Sequence, residues 1–129
     1  MKLFFILGNQ LFPPKYVIRF KKDHLFYMAE DYELCTYEKH HKQKILLFLS
    51  SMRSYAEKLK SDKYKIEYSK IDDKEFKDDY FKKLKKIINQ KKVKEVSSFE
   101  VEDKFFEKKM SQFVKKENIK WNIIQTPMF

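Results

Sequence analysis

Two runs of apolar residues, Leu3 to Leu7 and Leu25 to Ala29, continue without polar interruption. Unbroken runs of this length suit strands buried on both faces of a parallel sheet. Tyr64, Ile66 and Tyr68 instead alternate with Lys63, Lys65 and Glu67, the period of a half-exposed edge strand. Val93 to Phe99 supplies a fourth strand, and Trp121 and Ile123 flanking Asn122 a fifth, edge-like one stopped at Thr126-Pro127. Between them lie three stretches of helical period. The first runs from about His41 to Lys60, with Ile45, Phe48, Leu49, Met52, Tyr55, Ala56 and Leu59 on one stripe. The second, about Glu75 to Lys91, is capped by Asp72 or Asp73 and turns Phe76, Tyr80, Phe81, Leu84, Ile87 and Ile88 inward. The third opens at Asp103 and runs to about Glu117, with Phe105, Phe106, Met110, Phe113 and Val114 inward. Pro13 and Pro14 end the first strand's ladder, and Tyr16 to Lys22 reads as a basic connector.

Strands alternating with helices predict a parallel sheet with right-handed crossovers. The two unbroken runs belong inside it and the alternating strands at its margins, which the order 3-2-1-4-5 satisfies. The expected fold is therefore α/β: a three-layer, Rossmann-like open parallel sheet of five strands with helices on both faces. In that order the chain reverses direction between strands one and four, and open α/β sheets bind ligands beyond the carboxyl ends of their strands at such a point. The crevice falls between Gly8-Asn9-Gln10 and Ser97-Ser98-Phe99-Glu100, with Glu30 flanking it at the end of strand two. Gly8 is the chain's one glycine, and its missing Cβ lets backbone approach a ligand closely. Asn9 and Gln10 bring amide donors and acceptors to the rim.

At 129 residues the chain fits one domain, large enough to bury roughly two-thirds of its unfolded surface. Hydrophobic residues at 43% and aromatics at 17% support a packed core rather than disorder. No apolar run is long enough to span a membrane, and one cysteine fits a reducing cytoplasm. The net charge of +10 invites a nucleic-acid reading, but only Arg19 and Arg53 carry the forked guanidinium that phosphate and guanine favour. The lysines are spread over the outer helix faces, so a solvated surface is the simpler account. The fifth strand is followed by no covering helix, which suggests the leading domain of a longer protein.

Familiar chemistries are poorly served. One glycine cannot build a dinucleotide or phosphate-loop fingerprint. Glu30, Asp31 and Glu33 are not fixed as a catalytic pair, and Cys35 with His40 and His41 lacks metal-site spacing. Ser50 and Ser51 lie mid-helix, away from any nucleophile elbow. More telling is the stretch from Tyr27 to Ile45, where acids, tyrosines, histidines and amides gather beside the crevice. Aromatic faces with polar edges suit a planar heterocycle.

The runs Ile6-Leu7-Gly8-Asn9-Gln10-Leu11, Met28-Ala29-Glu30 leading to Thr36-Tyr37, His40-His41-Lys42-Gln43-Lys44-Ile45, Leu49 to Ala56, and Ser98-Phe99-Glu100-Val101-Glu102 carry a resemblance. Together they resemble the photolyase-related proteins, the prokaryotic iron–sulfur cryptochromes and (6-4) photolyases, over essentially the whole chain. The resemblance implies the amino-terminal domain that holds a light-harvesting antenna, a ribityl lumazine in relatives. It further implies that FAD and a cysteine-ligated iron–sulfur cluster reside in a carboxy-terminal flavin domain beyond this chain. The parent would repair or sense ultraviolet photoproducts, meeting DNA through its other half, and this domain alone would catalyse nothing. Carried across by position, Gly8, Asn9, Gln10, Glu30, Tyr37 and Glu100 would line the antenna pocket. Asn9 stands where relatives often have aspartate. The alternatives are a small-molecule or nucleotide-binding α/β domain, or a scaffold without an antenna; a basic nucleic-acid module is the third.

Overall fold

The computed structural model describes residues 2–8, 10–30, 42–70, 80–101 and 103–126. A five-stranded sheet runs β3-β2-β1-β4-β5, with every neighbouring pair parallel. Its strands are β1 (Lys2–Phe5), β2 (His24–Ala29), β3 (Ile66–Ser69), β4 (Glu95–Phe99) and β5 (Lys120–Ile124). Among the described residues the α-helices are α1 (Lys42–Ser61), α2 (Tyr80–Lys91) and α3 (Lys104–Lys116). This is the α/β architecture and the strand order expected from the apolar pattern.

Each strand sends alternate residues to opposite faces, so one central strand feeds two cores. Leu3, Phe5 and Leu7 join Leu25, Tyr27 and Val96 beneath α2 and α3. Phe4 and Ile6 join Phe26, Met28 and Phe99 beneath α1, where Met52, Ala56 and Leu59 come down. Ile6 continues the pairing past the end of β1, its N–H donating to the Tyr27 carbonyl at 3.0 Å. The basic connector folds as two 3-10 turns, Pro14–Tyr16 and Ile18–Phe20, which drop Val17 and Phe20 onto the α1 side. Phe4 there stacks on Phe26 at 5.3 Å between ring centroids and meets Phe99 edge-on at 5.6 Å. Such ring pairs add about 0.5–1.5 kcal/mol each to the burial of their area.

Asp103 caps α3 as expected, its carboxylate accepting from the N–H groups of Phe105 and Phe106. The inward assignment of Phe105 fails. It is 59% exposed, while Phe106, Met110 and Val114 form the buried stripe. Adjacent helical residues diverge by about 100°, so a face centred on Phe106 and Met110 swings Phe105 outward. Lys109 lies over its ring at 4.5 Å. Ile123 is likewise exposed, and Ile124 packs inward in its place, on the α1 side.

Helices α1, α2 and α3 end the same way without glycine. Lys63, Lys92 and Asn118 take positive φ of 67°, 54° and 56°. The next N–H in each case, from Tyr64, Val93 or Ile119, returns to the carbonyl of Leu59, Ile88 or Val114. These are Schellman closures, and the apolar residue after each one enters the core. The asparagine tolerates this conformation better than the two lysines do.

Candidate functional site

In a parallel sheet all strands point their carboxyl ends the same way, so the ends of β1, β2 and β4 share one rim. At β1 the chain turns through Gly8, and the Gln10 N–H donates to the Leu7 carbonyl at 2.9 Å. The Gln10 side chain is then folded inward and only 4% exposed. Its Nε2 donates to the backbone carbonyl of Glu100 at 2.7 Å, spanning the point where chain direction reverses between β1 and β4. Among the described residues its Oε1 is buried without a hydrogen-bond partner. Glu100 itself continues β4 toward β5, its N–H donating to the Ile124 carbonyl at 2.9 Å, and its side chain is exposed.

Ser97 and Ser98 belong to the body of the sheet. The Ser98 hydroxyl donates to the Phe99 carbonyl and accepts from the Trp121 indole N–H, both at 3.0 Å. Ser97 sits on the opposite face and accepts from the Asn122 amide at 3.4 Å.

Glu30 follows β2, and strand parity turns its side chain to the α1 side with Phe26 and Met28. The residue has no exposed surface. Arg53 of α1 donates to its carboxylate from Nε at 2.7 Å and from Nη2 at 2.9 Å. The Tyr68 hydroxyl from β3 donates to Oε2 of the same carboxylate. Burial above all, then that hydrogen bond and the Glu30 charge, push the Tyr68 hydroxyl far above the ordinary phenol range. From the other layer, Lys83 of α2 donates from Nζ to the Glu30 backbone carbonyl at 3.2 Å. Glu30 thus ties β2 to β3, α1 and α2 at once.

Outside this cluster, Arg53 and Tyr68 line a groove of about 390 Å³ between α1 and β3, together with Glu57, Lys60 and Lys70. A shallower one of about 490 Å³ lies between Leu11 and α1, where Ser50 and Ser51 reach its wall. Both serines are exposed on the helix.

Of the six residues expected to line the pocket, the structure joins Gln10 to Glu100, and sets Gly8 in the turn beside them. Glu30 lies at the neighbouring strand end with its carboxylate engaged internally. Asn9 and Tyr37 lie outside the described residues, as do Cys35, His40, His41, Asp72 and Asp73. Among the described residues no three metal-ligating side chains gather, and no helix is long and apolar enough to cross a membrane.

Three rim residues escaped the sequence reading. Arg53 follows Met52 on α1 and falls off its apolar stripe, and nothing local connects it to a carboxylate 23 positions earlier. Tyr68 belongs to the alternation of the edge strand, which gives no sign of a carboxylate partner for its hydroxyl. Lys83 did leave a signal. It sits three residues after Tyr80 and four before Ile87, on the very stripe that is buried.

Residues 4–129 match the family described as deoxyribodipyrimidine photo-lyase-related protein. Over 74 residues, 56% of this chain, it is 36% identical to a protein of Agrobacterium fabrum named (6-4) photolyase. The aligned part is 15% of that relative's length. The match to the family spans the sheet, its three helices and the rim, and the chain belongs to the deoxyribodipyrimidine photo-lyase-related family.

Proposed function

We propose that this α/β unit is a binding module whose carboxyl rim holds a planar, light-absorbing small molecule, an antenna of ribityl lumazine type. The observation that carries the reading is Gln10. A buried amide donates to the Glu100 carbonyl, and among the described residues its own carbonyl oxygen has no partner, at the point where chain direction reverses. An unsatisfied buried acceptor costs about 1–3 kcal/mol, and a ring N–H or ribityl hydroxyl would relieve that cost. The Glu30 carboxylate, already taken by Arg53 and Tyr68, is a support for the rim rather than a second acceptor.

Such a module needs no catalytic residue. It holds a chromophore at fixed distance and orientation to an acceptor, which a parent flavin domain with FAD and an iron–sulfur cluster would supply. Light-driven repair of DNA photoproducts, or blue-light sensing, in the cytoplasm is the corresponding role of the parent, with DNA met through that domain.

The competing reading is a scaffold that has lost its ligand. The Gln10–Glu100 bond favours it to the extent that it bridges the crevice from within. Incubation with a ribityl lumazine and a flavin panel, followed by gel filtration, separates the two. Near-ultraviolet or blue absorbance should travel with the protein and be lost in Gln10→Ala. Absence of retained absorbance from every member of the panel would leave the scaffold.

A further inference from the structure

In a parallel sheet every helix-to-strand connection enters at the amino ends of the strands, the pole opposite the rim. Here residues 60–65, 90–95 and 115–120 make those connections, and each stretch carries three exposed lysines and one acid. Register sets them level, since His24, Lys2, Glu95 and Lys120 are partners in one row across β2, β1, β4 and β5. Lys2, Lys21 and Lys22 add three cations at the starts of β1 and β2, and Asp23 one anion. The pole therefore holds twelve lysines against four acids, a net of +8 where the whole chain has +10. Spread along the sequence these lysines read as a solvated surface, but the fold gathers them at one end.

Helix capping accounts for a small part of that charge, because three helix C-termini amount to roughly −0.5 each, about −1.5 together. Two of the lysines, Lys63 and Lys92, moreover occupy left-handed backbone, where a Cβ is unfavourable. Two of the four acids are engaged locally: Glu95 accepts from the Asn122 amide at 2.8 Å, and Glu117 lies 3.3 Å from Lys85. The apolar residues of the three connections turn inward, with Tyr64 and Val93 buried and Ile119 packed against the core. Beside the lysines, Ser61, Gln90 and Asn118 are exposed, hydroxyl and amide groups of the kind that meet phosphate oxygens.

We propose that this amino pole docks on the phosphate backbone of a nucleic-acid duplex, a contact of this domain's own that is independent of any ligand at the rim. Five strands about 4.8 Å apart make the pole about 19 Å wide. A duplex carries one charge per about 1.7 Å of its axis, so about eleven phosphates lie along that width. Lysine meets phosphate as a point charge and reads no base pattern, so the docking is independent of sequence. An anionic bilayer fits less well, because peripheral membrane segments pair their basic residues with an inserted apolar face, and here the apolar residues face the core.

The test is fluorescence anisotropy of the purified chain with two labelled DNA duplexes of unrelated sequence, titrated between about 50 and 200 mM salt. Both should bind with Kd of about 10⁻⁴–10⁻⁶ M, and log affinity should fall against log salt with a slope of about −4 to −5, as for about five neutralised phosphates. Lys65→Gln, Lys94→Gln and Lys116→Gln combined remove one exposed lysine from each connection and should flatten that slope by about 2.7. Lys104→Gln, Lys108→Gln and Lys109→Gln combined lower the net charge equally in the half of α3 toward the rim, and should leave the slope within about one of the wild type. All six positions are exposed, so both variants should keep the wild-type melting temperature. Equal flattening by the two variants would overturn the surface and leave overall charge alone. A wild-type slope shallower than about −1, a clear preference for one duplex, or tighter capture by phosphatidylserine vesicles at matched charge would each overturn the proposal as well. None of these outcomes bears on the chromophore reading, which retained absorbance tests separately.

Discussion

The guanidinium of Arg53 lies edge-on against the carboxylate of Glu30, a group with no exposed surface, while 44% of the arginine side chain remains in contact with solvent. A fully desolvated anion is thus balanced by a cation that is half in water. Removing the cation leaves the anion with the Tyr68 hydroxyl but without the guanidinium. Arg53→Met should lower stability by about 2–3 kcal/mol, less than the 3–5 of a wholly buried pair because of that exposure. The double variant Arg53→Met with Glu30→Gln should recover part of the loss. Urea unfolding of the four species gives the coupling, and additivity would refute the pair's importance.

Gln10 links two strands that are far apart in sequence through a single side chain. Gln10→Leu leaves the Glu100 carbonyl without its donor, a cost of about 1–2 kcal/mol that removal of the unpartnered Oε1 offsets in part. Because the amide joins β1 to β4, amide hydrogen exchange should quicken around Glu100 and Ile124 rather than around α1. A uniform increase would assign the effect to general destabilisation.

Lys63 and Lys92 hold left-handed backbone that glycine would adopt without a Cβ clash. Lys63→Gly and Lys92→Gly should each stabilise by roughly 0.5–1 kcal/mol, and additively, since they close different helices. Asn118→Gly should gain less. Thermal unfolding of the single and double variants is sufficient to check the ranking.

At high pH the tyrosines should undo the α1 side. Burial, followed by the proximity of Tyr64, pushes the Tyr55 hydroxyl up to about 12, and the same hydroxyl donates to the Phe12 carbonyl at 2.7 Å. Burial also raises Tyr64, and Tyr68 is raised further still. Groups held above their unfolded values favour the protonated state, so their contribution is complete below pH about 10 and is lost as pH rises through the folded values. Phenolate absorbance should therefore appear together with loss of helical circular dichroism above pH about 10, and Tyr55→Phe should move that transition upward. Ionisation well before unfolding would show these hydroxyls to be solvated.

Strand order was legible because burial leaves a direct mark on sequence. A strand covered on both faces must be apolar at every position, as Leu3 to Leu7 and Leu25 to Ala29 are, and one at a margin must alternate, as Tyr64 to Tyr68 does. The cap at Asp103 was legible for a similar local reason: the oxygen that accepts and the N–H groups that donate lie within three residues. Phe105 was misread because an aromatic pair at adjacent helical positions leaves open which member faces the core, and that depends on where α3 is seated.

The rim chemistry is of the other kind. The residues that end β1, β2 and β4 could be named from the runs they terminate, so Gln10, Glu30 and Glu100 were identified by position. What each does depends on partners 23 to 90 positions away, brought together by the sheet and its crossovers. Periodicity determined the buried apolar stripes, apart from the choice between Phe105 and Phe106, since solvent exclusion acts residue by residue. Only tertiary structure decided that one buried carboxylate is matched by Arg53 and Tyr68 while the buried amine of Lys83 donates to the Glu30 carbonyl, because hydrogen bonds and charges are settled between elements.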